Sequence, residues 1–109
     1  MGVKRGDLVA VALQGSYGKP RPALVIQSNL FAEHPSVTLL SLTSELVDAP
    51  LVRIPVEPSA KNGLQKKSQV MVDKTSTLPR NKISEPLGQI EEETMLAVMR
   101  ALTVFLGFA

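Results

Sequence analysis

The chain has 109 residues, enough for one hydrophobic core and too few for two, so a single domain over residues 1–109 is expected. Hydrophobic residues make up 44% and charged residues 20%, an ordinary globular balance that argues against disorder. The net charge is +2, cysteine is absent and His34 is the single histidine, which excludes disulfide scaffolds, thiol nucleophiles, thiolate metal sites and two-histidine acid–base pairs.

The opening residues place Asp7 before a short apolar run, with no small-residue cleavage site after it, so no signal peptide is read there. Residues 7–13 are rich in strand formers and end near Gly15. A turn-forming loop from Gln14 to Pro20 leads into a strand over 22–27. That strand is apolar on both faces from Ala23 to Ile26, which predicts cover on both sides. A loop from Ser28 to Pro35 precedes an apolar strand over 37–43, and a shorter strand is predicted over 51–55. Residues 57–67 read as a connector, residues 69–73 as another strand and residues 88–90 as a short one. The spacing is that of a small all-β barrel or sandwich.

The tail changes period. Glu91, Glu92 and Glu93 open a helix, where acidic side chains suit the positive end of the dipole. Met95, Val98, Met99, Leu102, Phe105 and Leu106 share one helical face, and Leu96, Ala97, Ala101 and Val104 add apolar surface beyond it. A helix so apolar is predicted to be buried, under a sheet or against a second subunit, and a homodimer is the favoured reading. Gly107 is expected to close it. The apolar stretch from Met95 to Ala109 is shorter than the roughly 20 residues needed to cross a bilayer, so no membrane association is expected.

Charge is unevenly distributed. Lys4, Arg5, Lys19 and Arg21 against Asp7 give residues 1–30 a sum of +3. Lys61, Lys66, Lys67, Lys74, Arg80 and Lys82 against Asp73 give residues 59–82 a sum of +5. Should these blocks meet in the fold, they form a face suited to a polyanion; solvated loops account for the same pattern.

Three local features could carry chemistry. In Lys19-Pro20-Arg21-Pro22 two prolines stiffen the chain around Arg21, whose guanidinium fits phosphate oxygens in a bidentate fork. Thr43 and Ser44 end an apolar strand, and their hydroxyls can donate to a phosphate oxygen or make ordinary strand-end hydrogen bonds. Asp73-Lys74 follows another strand as a candidate general base beside a cation, or as a surface ion pair. Tyr17, in the first loop, could stack on a base. No phosphate-cradling glycine loop, zinc spacing or nucleophile elbow is present, and His34 is assigned no role.

Arg5-Gly-Asp-Leu-Val9, the glycine-containing loop, Arg21-Pro-Ala-Leu-Val-Ile-Gln-Ser-Asn29, the Leu42-Thr43-Ser44 strand end and the C-terminal helix together resemble the MazF/PemK (Kid) toxins, in order over nearly the whole chain. The resemblance implies a mainly β fold with a C-terminal helix, an SH3-like barrel shared with the CcdB toxins, assembled as a homodimer. It implies a bacterial, cytoplasmic endoribonuclease that needs no metal or cofactor and cuts single-stranded RNA at short sequences, so stopping translation and growth. It also implies a cognate antitoxin with an acidic disordered tail, with DNA contacted only through the antitoxin complex.

Carried over by position, the catalytic arginine and threonine match Arg21 and Thr43, Ser44 takes the neighbouring hydroxyl position, and the acid after the later strand matches Asp73. The PemK branch has an arginine where this chain has Met71 and a first-loop histidine where it offers Tyr17 and Lys19, so the MazF pattern fits better. For cleavage by the RNA 2′-OH, Arg21 is expected to clamp the phosphate and serve as candidate proton donor. Thr43 would hold a non-bridging oxygen, with Asp73 as candidate base. Tyr17, Lys19, Ser44, Lys74 and Arg80 would bind the substrate. Two other readings are a CcdB-like gyrase inhibitor, which would not need Arg21, and a non-catalytic nucleic-acid-binding barrel.

Overall fold

The computed structural model describes residues 2–12 and 19–109. Strands β1 (Asp7–Val11), β2 (Arg21–Val25), β3 (Ser36–Thr43), β4 (Arg53–Val56), β5 (Ser68–Pro79) and β6 (Gly88–Gln89) precede a helix, α1 (Glu92–Phe105). Single 3-10 turns occupy Asn29–Phe31 and Arg80–Lys82. The strands form one sheet in the order β4-β5-β3-β2-β1-β6, and every pair is antiparallel. β4 and β6 are its free edges, so the sheet is a curled half-barrel rather than a closed barrel.

β5 produces much of the curl. Thr75 to Pro79 pair with the first half of β3, whereas Gln69 and Val70 pair with its end. Leu40 faces Thr75 and Leu42 faces Val70, so residues 71–74 of β5 oppose Ser41 alone. Extra residues on one strand bend it and strengthen the local twist.

Alternation along the strands divides the core between the two faces. Leu8, Leu24, Leu40, Leu42, Val56, Val70 and Val72 cluster on one face with Val98 and Leu102 of α1. Val9, Val11, Ala23, Val25, Val37 and Leu39 cluster on the other, covered by Val3, Leu78 and Ile83. The expected two-sided cover of β2 is therefore present, and burying each large aliphatic side chain contributes roughly 1.5–3 kcal/mol.

α1 starts with Glu92 and Glu93 in its first turn. Its end is fixed by Gly107 at φ 83°: the Gly107 N–H donates to the Val104 carbonyl and the Phe108 N–H to the Thr103 carbonyl, a Schellman closure. The helix is not buried all round in the single chain: Val98 and Leu102 are buried, whereas Leu96, Val104, Phe105 and Leu106 are about half exposed or more. A half-barrel offers one helix a single seat: Leu96 and Val104 lie on the far side of α1 from Val98 and Leu102, whereas Phe105 and Leu106, on the seated stripe, are exposed at its C-terminal end. Among the described residues no helix is long and apolar enough to cross a membrane.

Candidate active site

Arg21 is the first residue of β2, exposed and opposite Val11 of β1. Pro22 lacks a backbone donor, and β2 begins its pairing with β3 only at Ala23↔Ser41, so the missing N–H falls where no ladder bond is needed. Carrying that register two residues further sets Arg21 opposite Thr43, at the start of one strand and the end of its neighbour. The Thr43 Oγ1 accepts the backbone N–H of Glu45 at 3.0 Å, which leaves its O–H free to donate elsewhere. The chain after Ser44 is pinned by Gln69. Its Oε1 accepts the Val47 N–H at 3.1 Å and its Nε2 donates to the Val47 carbonyl at 2.9 Å.

An open groove of about 490 Å³ lies at this end of the strands, within the size range of ligand clefts. Arg21 and its flanking prolines, Ser44, Leu64, Gln65 and Lys66 contribute to its walls. Its described lining contains two cations, Arg21 and Lys66, and no carboxylate. The two basic blocks of the sequence thus meet here, Arg21 from the first and Lys66 from the second. Lys19 is exposed one residue before the groove wall at Pro20.

Other candidate residues are placed apart from the groove. Asp73 pairs through Oδ1 with Nη1 of Arg53, and both side chains are largely buried. Asp73 is four residues along β5 from Gln69, the partner of Thr43, within the bulged segment 71–74, and it does not line the groove. Lys74 is exposed beside it on β5. Arg80 follows β5 at the Ser36 end of β3, seven residues or roughly 23 Å from Thr43. There its Nε donates to the His34 carbonyl at 2.9 Å and its Nη2 reaches the Phe31 carbonyl at 3.5 Å, so Arg80 fastens the 31–35 turn. Tyr17 lies outside the described residues. Among the described residues no three His, Asp or Glu side chains are grouped as a metal site requires.

Leu64 and Gln65 were not singled out from the sequence, which read residues 57–67 as a connector and counted Lys66 only in the second basic block. The available signal was Asn62-Gly63, a turn dipeptide, followed directly by Lys66-Lys67.

A family model for the PemK-like, MazF-like toxin of type II toxin–antitoxin systems matches residues 4–106, and the chain belongs to that family. It is 44% identical over 108 residues to the probable endoribonuclease MazF of Mycolicibacterium smegmatis, covering 98% of this chain and 99% of that one. The chain is accordingly a MazF-type endoribonuclease toxin. Solved structures repeat the fold at lower identity. A mycobacterial endoribonuclease in complex with its cognate antitoxin superposes with a TM-score of 0.84 at 24% identity over 99% of this chain and 98% of that one. MazF from Deinococcus radiodurans gives a TM-score of 0.81 at 21% identity over 98% of each chain.

Proposed function

We propose that the groove beside Arg21 binds single-stranded RNA and that the protein cuts it at short sequences without a metal ion. The 2′-OH of the RNA attacks the adjacent phosphorus in line, the 5′-oxygen leaves, and the products carry a 2′,3′-cyclic phosphate and a 5′-hydroxyl. The observation that supports this most is the meeting of Arg21 and Lys66 on a groove whose described lining holds no carboxylate. Polyanion binding follows from that charge. Negative charge builds on the non-bridging oxygens as phosphorus becomes five-coordinate, and a fixed guanidinium stabilises it. Arg21 takes that role and donates a proton towards the leaving oxygen. Ser44, on the groove wall, holds a non-bridging oxygen, and Thr43 beside it, opposite Arg21 in register, is the second hydroxyl of that strand end. Asp73, ion-paired with Arg53 and outside the groove lining, is not within reach of the 2′-OH, whose proton passes to water, and Lys19 and Lys74 follow the backbone.

Cleaved messages stop translation, so the cell's growth stops with it, and the site of action is the bacterial cytoplasm. A groove suited to RNA also suits a disordered acidic peptide, and we propose that a cognate antitoxin inhibits the protein by occupying it; the similar mycobacterial endoribonuclease is in complex with its cognate antitoxin. The uncovered face of α1 closes against a second copy in a homodimer.

The test is incubation with a long single-stranded RNA in EDTA, beside Arg21→Ala and Asp73→Asn. Discrete fragments ending in cyclic phosphate are expected from the wild type. Arg21→Ala should lose about 10²- to 10³-fold in rate, the scale of removing one transition-state donor. Asp73→Asn, outside the groove lining, should stay well short of the about 10²-fold loss that removing a general base brings. Cleavage of a substrate whose scissile 2′-OH is replaced by hydrogen sinks the scheme.

A further inference from the structure

The loop between β4 and β5 is fastened to the start of α1 by a side-chain network that the cleavage chemistry does not use. Asn62 is 0% exposed. Its Oδ1 accepts the backbone N–H groups of Ser59 at 3.0 Å and Leu64 at 2.9 Å. Its Nδ2 donates to the Glu57 carbonyl at 2.8 Å and to Oε1 of Glu91 at 3.1 Å. The Ser59 Oγ donates to Oε2 of Glu91 at 2.5 Å and accepts the Asn62 N–H at 3.0 Å. Both donors and both acceptor sites of the Asn62 amide are thus occupied. A buried network satisfied to this degree is rigid.

Glu91 occupies the N-cap position of α1, yet its side chain makes no capping hydrogen bond. The carboxylate is turned to the loop instead. The hydrogen bond from Ser59, helped by Asn62 and the charge of Lys61, holds this carboxyl below the ordinary glutamate range against the opposing effect of burial. The residues that follow Asn62, from Gly63 to Lys66, form one wall of the groove. The back of the loop is fixed as well: the Gln89 N–H donates to the Lys61 carbonyl at 2.9 Å. A Cβ on Gly88 would stand 2.5 Å from that carbonyl oxygen.

We propose that Glu91, acting through Ser59 and Asn62, is a positioning residue that sets the Gln65–Lys66 wall of the groove and thereby how tightly, and at which bases, RNA is held. The inference rests on the ribonuclease reading of that groove. Glu91 itself touches neither the groove nor the reacting atoms; its effect runs through the Leu64 N–H held by Asn62.

Wild type, Glu91→Ala and Glu91→Gln decide it, by amide hydrogen exchange and by steady-state cleavage of a short RNA well below the melting temperature. In Glu91→Ala the Leu64 to Lys66 amides should exchange faster while those of β1 to β3 are unchanged. Its KM should rise about tenfold with kcat within about twofold, the signature of lost substrate binding. Cleavage of a long RNA should spread to additional sequences. Glu91→Gln should recover most of both effects, because one amide oxygen can accept from Ser59 and Asn62 together. Wild-type KM and cleavage sites in Glu91→Ala, or a KM rise that Glu91→Gln does not recover, overturn the inference. A wild type that leaves RNA intact overturns the ribonuclease reading instead, and unchanged loop exchange in Glu91→Ala then overturns the positioning role separately.

Discussion

Glu91 and its two neighbours show how differently adjacent carboxylates are used. Glu92 and Glu93 stand in the first turn of α1, as the dipole argument expects. Glu91 serves the loop, and nothing local in the sequence marks it, because Ser59 and Asn62 are about thirty residues away in the chain. Arg21 was legible because its two prolines are adjacent to it. The Arg53 partner of Asp73 was not, since twenty residues separate them and only the β4–β5 register joins them. Glu91 also predicts a pH dependence. Its carboxyl is held below the ordinary range in the folded chain, so the unfolded chain binds the proton more readily. The stability it contributes is complete above the unfolded value, about 4.3 for a glutamate, and is lost as the pH falls through the folded one. Urea midpoints followed down from neutral pH should fall through this acidic window. In Glu91→Gln that part of the slope should be missing, and a parallel acid limb would show that other carboxylates carry it.

At the scale of elements, β5 is where sequence reasoning fell furthest short. Residues 69–73 announce a strand by apolar alternation, whereas Lys74 to Thr77 are polar and resemble a loop. They continue the strand because β3 offers a partner and because threonine suits a pleated surface: Thr38 and Thr77 face each other with their hydroxyls 2.8 Å apart. Short strands at the free edges were also read with shifted ends, since β4 begins at Arg53 rather than Leu51. The contact of β6 with the groove loop depends on one missing side chain. In Gly88→Ala the added Cβ meets the Lys61 carbonyl oxygen at 2.5 Å and the Asn62 carbonyl oxygen at 2.6 Å, backbone atoms that cannot swing aside. The substitution should cost about 1–3 kcal/mol, the range for overpacking, seen as a lower urea midpoint with an unchanged slope. An unchanged midpoint would mean that the 61–63 segment shifts freely, and that the groove wall is not held from behind.

For the whole molecule, the decisive feature is the apolar surface left on α1. Val98 and Leu102 seat the helix on the sheet, while Val104 is 60% and Phe108 81% exposed, with Leu96, Phe105 and Leu106 near half. The sequence revealed the excess of apolar residues on this helix; it did not reveal which half of them the sheet would take. Val104, Phe105, Leu106 and Phe108, exposed together at one helix end, mark an interaction surface rather than scattered surface hydrophobes. In the homodimer proposed above, a second copy would cover it with the same patch, as a two-fold axis requires. The 11.7 kDa chain should therefore scatter light with twice that mass. Val104→Lys should return it to the single-chain mass, because an ammonium enclosed in an apolar interface costs several kcal/mol. The lysine stands in the last turn of α1, where the dipole favours a cation, so helix content by circular dichroism should be kept. A wild type that scatters as one chain would assign the patch to a different protein and remove the dimer. Given the dimer, the same variant locates the site. A Val104→Lys monomer that still cuts RNA confines Arg21, Ser44 and Lys66 to a complete groove within one chain. A folded monomer that no longer cuts it makes the second copy part of the groove.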